Sequence, residues 1–334
     1  MFLHPDAQFY IDTLPTLSAE EQVNFGKDAV GAGVNATHVA VDQDIAGVPV
    51  RVYRPLEAGA GVLPCLVYFH GGGWSGGNLD MIDATVRSLV VGLPIIAISV
   101  DYRLAPAHPF PAAIDDAFAV VNAVLGGASG LEIDTFRVAI GGDSAGGNIA
   151  AVTAQQLRKR VVDSAVSLGV GSMLGPGVEP GVGSMLGSGV EPGLGFALAP
   201  SLAHQVLIYP VTDVSTTTTP SYLKFGQDCY LTKEAMERYI NQYAGEHDRT
   251  DPRLSPLLAS DLNDLPPTTI VYGECDVLAH EVQAYGQALL EAGNSVTMAE
   301  FKGQIHAFIN LGGINADARA ARRFIRAELE AALC

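Results

Sequence analysis

Short apolar runs alternate with segments of helical periodicity along most of the chain, starting near residue 48. The runs are almost uninterrupted by polar residues, which is typical of strands that are buried on both faces. Between several of them, apolar residues recur every three or four positions, as on one face of a helix. The pattern predicts strands at 48–54, 63–69, 95–102, 136–140, 205–209, 268–272 and 295–301, and helices at 114–125, 282–290 and 315–333. This alternation predicts an α/β fold with a mostly parallel central sheet flanked by helices.

A duplicated segment interrupts the alternation. Residues 169–180 are followed by a copy, 181–192, which differs only at Pro176 and Ser188. The glycine and proline content of both copies disfavours a stable helix or a central strand. We therefore interpret residues 167–195 as a tandem-duplicated surface loop.

The N-terminal part of the chain has a different character. Residues 1–45 are amphipathic in places and predict helices, with a helix start at Ser18. The first residues lack the basic region of a secretory signal, so none is expected. No apolar run approaches the ~20 residues needed to cross a bilayer, so a membrane span is not expected either.

A serine flanked by glycines follows one of the predicted strands. The sequence Gly142-Asp143-Ser144-Ala145-Gly146 lies between the strand at 136–140 and a segment of helical character. A serine at such a strand-to-helix turn adopts a strained backbone and presents its hydroxyl to substrate. Ser144 is therefore the candidate nucleophile. For Asp143 we expect local structural hydrogen bonding.

Three consecutive glycines follow another predicted strand. The strand at 63–69 runs into His70-Gly71-Gly72-Gly73. Such a loop leaves backbone N–H groups accessible, and it is the kind of loop that donates to an oxyanion hole in esterases and lipases. We expect His70 to order this loop through hydrogen bonds, and we do not expect it to bind a metal.

Candidates for a general base and its orienting acid come later in the chain. The strand at 268–272 ends just before Asp276, and the next strand ends just before His306. Because parallel strands bring their carboxyl ends to one edge of the sheet, these side chains are expected to meet Ser144 there. Glu274 lies two residues from Asp276 and remains an alternative for the acid.

Composition narrows the range of partners and compartments. The 334 residues carry a net charge of −17, which argues against binding nucleic acid or an anionic membrane surface. Four cysteines, at positions 65, 229, 275 and 334, are scattered without metal-binding spacing, so a reducing, cytoplasmic location is expected. No metal or cofactor is expected, and association into a homo-oligomer is left open.

Three motifs in series resemble those of the hormone-sensitive-lipase-like family of microbial carboxylesterases. They are the glycine loop at 70–73, the stretch 101–111 that reads Asp-Tyr-Arg-Leu-Ala-Pro-Ala-His-Pro-Phe-Pro, and the serine motif at 142–147. The resemblance implies an α/β-hydrolase core of eight strands with a helical cap formed by residues 1–45 and 213–246. Residues 46–334 would form the catalytic domain, in which the segment 213–246 contributes to the cap. It also implies oxyanion donors at the N–H groups of Gly72, Gly73 and Ala145.

The chain departs from this family at two places. Where the family usually reads Asp-Pro-Leu-Arg-Asp, residues 276–280 read Asp-Val-Leu-Ala-His, so only the acid and the leucine match. Around the histidine, Gly303-Gln-Ile-His306-Ala-Phe308 replaces Gly-x-x-His-Gly-Phe. The position of the acid is unchanged, whereas the residues that support it differ.

Together these features predict a serine carboxylesterase. Ser144, His306 and Asp276 would hydrolyse a small-molecule ester through an acyl-enzyme. The resemblance implies short- to medium-chain acyl groups. An amidase, a lactonase or an acyltransferase would use the same residues, and a non-catalytic ligand-binding protein on this scaffold is the remaining alternative.

Overall fold

One eight-stranded sheet organises the protein, whose computed structural model describes residues 2–13, 38–59, 61–167 and 201–334. The strands are β1 (His38–Ile45), β2 (Val48–Pro55), β3 (Leu63–Phe69), β4 (Ile96–Val100), β5 (Ile133–Asp143), β6 (His204–Ile208), β7 (Thr268–Cys275) and β8 (Val296–Ile305). The described α-helices are α1 (Pro5–Thr13), α2 (Leu79–Val90), α3 (Ala112–Leu125), α4 (Ala145–Ser167), α5 (Pro220–Phe225), α6 (Lys233–Ala244), α7 (Ala279–Glu291) and α8 (Ala316–Leu333).

The strand order is β1-β2-β4-β3-β5-β6-β7-β8. β2 pairs antiparallel with both β1 and β4, and every other neighbouring pair is parallel. The predicted α/β fold with a mostly parallel sheet is therefore confirmed. Every residue of β3, β4 and β6 is buried, which explains why these strands are continuous apolar runs in the sequence.

Helices cover the sheet and supply the rest of the core. α4 packs against β3, β5 and β6, and α8 packs against β5, β6 and β7. The side chain of Asn315 accepts a hydrogen bond from the N–H of Ala318 and caps α8, so the helix predicted at 315–333 begins at its capping residue. Among the described residues, none of the helices has the length and apolar character required to span a bilayer.

Part of the N-terminal prediction is wrong. Residues 38–45, which were included among the predicted helices, form strand β1 and pair along their whole length with β2. Ala46 and Gly47 connect the two strands with φ of 55° and 83°, the backbone of a two-residue hairpin turn. Val39 and Val41 are 50% and 54% exposed on β1, because this strand is at the edge of the sheet and only partly covered. Residues 5–13 are helical as expected, whereas the helix start predicted at Ser18 lies outside the described residues.

Three strands extend further toward their carboxyl ends than the apolar pattern predicts. β5 continues to Asp143, β7 to Cys275 and β8 to Ile305. Polar residues and glycines end the apolar run early, but their backbone groups still pair: Gly142 of β5 pairs with Phe69 of β3 and with the neighbouring β6. The extensions carry the strands up to the predicted site residues.

The duplicated segment 169–192 lies outside the described residues. The chain leaves the described region at the end of α4 and re-enters it just before β6. The segment therefore belongs to a connection that leads into the amino end of a parallel strand.

Candidate active site

Ser144 occupies the turn between β5 and α4, with a left-handed backbone (φ 56°) and 8% of its surface exposed. Its N–H donates to the carbonyl of Ile208, and its carbonyl accepts from the N–H of Val211. A Cβ on Gly142 would lie 2.4 Å from the backbone of Gly146, and one on Gly146 would lie 2.0 Å from the carbonyl oxygen of Phe69. Both flanking positions require glycine because strand and helix backbones meet there with no room for a side chain.

His306 and Asp276 lie next to the serine. The Nε2 atom of His306 is 2.9 Å from Oγ of Ser144, and its Nδ1 atom is 2.6 Å from Oδ2 of Asp276. Asp276 is fully buried, and its Oδ1 atom accepts a hydrogen bond from the N–H of Leu278. Three side chains from the ends of β5, β7 and β8 thus form one hydrogen-bonded chain.

Glu274, the alternative acid, faces a different group. Its Oε2 atom accepts a hydrogen bond of 3.0 Å from the N–H of Gly303, three residues before His306. Gly303 has φ of 69°, and the N-terminal residue His4 donates its N–H to the carbonyl of Gly303. Glu274 therefore supports the backbone of the loop that carries the histidine.

The glycine loop after β3 approaches the serine turn with open backbone donors. Gly72, Gly73 and Trp74 have φ of 127°, 59° and 56°. Within the described part of the chain, no acceptor bonds the N–H of Gly72 or Gly73. The N–H of Ala145, the first residue of α4, has no acceptor within its helix. These N–H groups are available to an incoming oxyanion.

Asp143 joins this loop to the serine turn. Its Oδ1 atom accepts hydrogen bonds of 2.9 Å from the N–H of Gly71 and from the hydroxyl of Tyr68. Burial raises the pKa of the Asp143 carboxyl, while these two donors and the nearby His70 oppose that shift. The carboxyl thus holds the loop at a fixed distance from Ser144, which agrees with the structural role predicted for Asp143.

His70 fixes the other side of the loop. Its Nδ1 atom is 2.7 Å from the carbonyl oxygen of Gly71, and its ring stacks on Tyr102 at 4.4 Å. The hydroxyl of Tyr102 donates to the carbonyl of His70. Burial lowers the pKa of His70, so the ring is neutral at physiological pH and donates from Nδ1 to the loop.

Two tyrosines at the site were not identified from the sequence. The ring of Tyr209 lies 4.7 Å from that of His306, and its backbone is left-handed (φ 34°). Tyr209 directly follows β6, at the carboxyl edge of the sheet, and this position in the sequence could have identified it as a site residue. Tyr239 of α6 covers Gly73: a Cβ on Gly73 would lie 2.4 to 2.7 Å from atoms of the Tyr239 ring. Nothing in the local sequence around Tyr239 indicates this contact.

Because Tyr239 approaches Gly73 closely, a substitution at Gly73 tests the predicted role of the glycine loop. Gly73→Ala places a methyl group 2.4 to 2.7 Å from atoms of the Tyr239 ring, closer than van der Waals contact allows, and also strains a residue with φ of 59°. The strained backbone and the clash are expected to displace the glycine loop, so if the N–H of Gly73 binds the oxyanion, as predicted, kcat should fall by roughly 10²- to 10³-fold. Steady-state kinetics with an activated ester measure this.

Gly61→Ala is the matched control, since a Cβ there meets no atom within 4 Å. Thermal unfolding of both variants separates a misplaced loop from a loss of fold. Activity of Gly73→Ala within about threefold of wild type would show that the N–H of Gly73 does not bind the oxyanion.

Fold and site define a class of protein. Residues 66–310 match the family model described as the alpha/beta hydrolase fold, and the chain belongs to this family. Several homologues bear the names of ester hydrolases, which confirms the relationship to hormone-sensitive-lipase-like carboxylesterases that the three motifs indicated.

Individual relatives illustrate that kinship. Carboxylic ester hydrolase LipN of Mycobacterium tuberculosis is 36% identical over 285 residues, which cover 83% of this chain and 65% of LipN. Ethyl acetate hydrolase of Pseudomonas putida is 35% identical over 275 residues, covering 80% of this chain and 73% of that protein. Among solved structures, an esterase of Pyrobaculum calidifontis superimposes with a TM-score of 0.80 at 29% identity, with 99% of each chain covered.

Proposed function

We propose that the protein is a serine carboxylesterase that hydrolyses short- to medium-chain acyl esters through an acyl-enzyme intermediate. The observation that carries the proposal is the continuous chain from Ser144 Oγ through His306 to Asp276, with bonds of 2.9 and 2.6 Å. It lies beside the N–H groups of Gly72 and Gly73, which bond no acceptor among the residues that the structure describes. The ester-hydrolase names of the homologues support the same reaction class.

The geometry supports acylation in the following way. His306 accepts the proton of Ser144 at Nε2 while Oγ attacks the ester carbonyl. Asp276 accepts the Nδ1–H hydrogen bond, which holds the ring in the tautomer that leaves Nε2 free and stabilises the imidazolium that forms. The N–H groups of Gly72, Gly73 and Ala145 hold the developing oxyanion.

Release of the two products uses the same groups in turn. The imidazolium donates its proton to the leaving alcohol oxygen as the C–O bond breaks, and the acyl group stays on Ser144. Water then attacks the acyl-enzyme, with His306 again accepting the proton. The acid is released and Oγ regains its hydrogen.

A series of p-nitrophenyl esters from acetate to palmitate tests this proposal. We expect turnover with highest kcat/KM at short to medium chains, preceded by a burst of nitrophenol that matches the enzyme concentration. A burst without turnover would favour an acyltransferase that lacks its acceptor, whereas the absence of both burst and turnover would favour a non-catalytic binding protein. Faster cleavage of matched amides or lactones would assign the site to those substrates.

Part of the chain also forms a cap in this proposal. α5 and α6 lie within the predicted cap segment 213–246. Besides the contact of Tyr239 with Gly73, Tyr243 of α6 stacks on Trp74 with ring centroids 4.6 Å apart and planes 4° from parallel. Through these contacts α6 packs against the glycine loop. This supports a cap built from residues 213–246 together with the N-terminal residues.

The duplicated loop is not part of the proposed machinery. Replacing residues 169–192 with a short Gly/Ser linker is expected to change kcat/KM for a small ester by less than about threefold, because αβ connections lie at the edge of the sheet opposite the catalytic residues. A larger loss, in a variant that is folded and has the wild-type oligomeric state, would place the loop at the active site.

The compartment and partners complete the proposal. Cys65 and Cys275 are buried free thiols, which supports a reducing, cytoplasmic location. Burial raises the pKa of both thiols, so neither is a reactive nucleophile. The net charge of −17 supports a small ester rather than a nucleic acid as the partner. Size-exclusion chromatography with light scattering would establish whether the chain forms a homo-oligomer.

A further inference from the structure

The side chain of Asp276 is oriented by the peptide group that follows it. Its Oδ1 atom accepts a hydrogen bond of 2.9 Å from the N–H of Leu278, while its Oδ2 atom bonds to His306. An aspartate that bonds the backbone two residues further on forms an Asx turn, in which the carboxylate and the peptide fix each other's orientation. The peptide group between Val277 and Leu278 therefore determines how the carboxylate meets the histidine.

Ser221 of α5 holds the other side of the same peptide group. Its buried hydroxyl donates to the carbonyl oxygen of Val277 at 2.5 Å. This carbonyl and the N–H of Leu278 belong to one planar amide, so a hydrogen bond at the oxygen polarises the N–H that points to Asp276. A continuous series of hydrogen bonds thus runs from Ser221 through the peptide group and Asp276 to His306.

Two further contacts fix the direction of the Ser221 hydroxyl. The N–H of His280 donates to Oγ of Ser221 at 3.2 Å, and Oγ1 of Thr219 lies 3.1 Å from the same atom. A serine hydroxyl has one hydrogen and two lone pairs. Because a carbonyl can only accept, the hydrogen of Ser221 goes to Val277, and Thr219 must be the donor in its own contact. The three partners together use the full hydrogen-bonding capacity of the hydroxyl and hold it in one orientation.

The helix that carries Ser221 is joined to the helix that packs against the glycine loop. The N–H of Lys233, the first residue of α6, donates to the carbonyl of Gly226, which directly follows α5, at 2.8 Å. Through Tyr239, α6 covers Gly73 of the glycine loop. α5 and α6 therefore contact the site from two sides, at the acid and at the proposed oxyanion donors.

We propose that Ser221 is a positioning residue for the acid of the site: its hydroxyl holds the 277–278 peptide group so that Asp276 meets Nδ1 of His306 in the orientation that the reaction requires. Ser221 bonds to none of the reacting atoms and acts only through Asp276. Because the imidazolium that Asp276 stabilises forms only during the reaction, Ser221 contributes to the transition state and not to substrate binding. The proposal rests on the esterase function proposed above.

Ser221→Ala tests this, since it removes only the hydroxyl. With p-nitrophenyl acetate we expect kcat to fall roughly three- to tenfold, the usual effect of losing one neutral hydrogen bond, while KM stays within about twofold of wild type. Ser88→Ala is the matched control, because Ser88 is also buried and donates to a backbone carbonyl, that of Thr85 in its own helix α2. This control should keep wild-type kcat and KM. The melting temperatures of both variants establish that each is folded in the assay.

A double-mutant cycle with Asp276→Asn tests whether Ser221 acts through the carboxylate. In the Asp276→Asn background, Ser221→Ala should change kcat by less than about twofold, because the amide no longer stabilises the imidazolium. An equal loss of kcat in both backgrounds, a loss confined to KM, or kcat of folded Ser221→Ala within about twofold of wild type would overturn the proposal and leave the esterase function intact. Absence of turnover by the wild-type protein would instead contradict the proposed function.

Discussion

Ser144→Ala is expected to abolish ester turnover and leave the fold intact. The substitution removes only Oγ, the atom that lies 2.9 Å from His306. The bonds that hold the turn, to Ile208 and Val211, use backbone atoms of Ser144 and are kept. Because no other group takes over the role of a lost nucleophile, residual kcat should be less than about 1% of wild type.

A matched serine variant makes this result interpretable. Ser260 is exposed, so Ser260→Ala should retain wild-type kinetics and the wild-type melting temperature. Wild type and Ser260→Ala should also bind one equivalent of a serine-directed organophosphate, with Ser144 carrying the label in a peptide map. If another residue carried the label, or if Ser144→Ala kept well over about 1% of wild-type kcat, the nucleophile would be a residue other than Ser144.

Asp276→Asn is expected to have the second largest effect, with a loss of kcat of roughly 10⁴-fold. The carboxylate accepts the hydrogen bond from Nδ1 of His306 at 2.6 Å. An amide that presents its NH₂ group to Nδ1 favours the other tautomer, in which Nε2 carries the proton and cannot accept one from Ser144.

Glu274→Gln is the matched comparison, two residues before Asp276 and near the end of β7. The Gln side chain can still accept from the N–H of Gly303 through its carbonyl oxygen, so the histidine loop keeps its support. We expect a loss of kcat within about tenfold, since a neutral hydrogen bond replaces a charge-assisted one. If Glu274→Gln were the more damaging of the two in folded protein, the acid of the mechanism would be Glu274.

The sequence pattern alone does not decide which of these two carboxylates contacts His306. Both follow the apolar run of β7, and simple alternation along a strand puts residues two apart on the same face. In the structure the pairing of β7 with β8 changes register between Gly273 and Cys275, which breaks the alternation at that point. Glu274 therefore reaches the backbone of Gly303 while Asp276 reaches His306.

Strand β1 is a second feature that the sequence pattern did not predict. Only some of its residues are buried, because β1 is an edge strand with a partly covered face. The apolar signal is correspondingly weak, so the sequence pattern does not distinguish this segment from the helical residues before it. The short connection through Ala46 and Gly47 was the local sign of a hairpin.

The sequence by itself determined the parallel core, the serine turn and the glycine loop. These features depend on local requirements, namely continuous apolar strands and glycines where backbones touch, and such requirements are written into consecutive residues. The tertiary structure alone decided which acid meets His306 and which tyrosines contact the site. Tyr209 lies against His306 and Tyr239 covers Gly73, and their positions follow from how α6 and the end of β6 pack against the glycine loop and the end of β8. Contacts of this kind depend on packing between elements, which periodicity within one element does not encode.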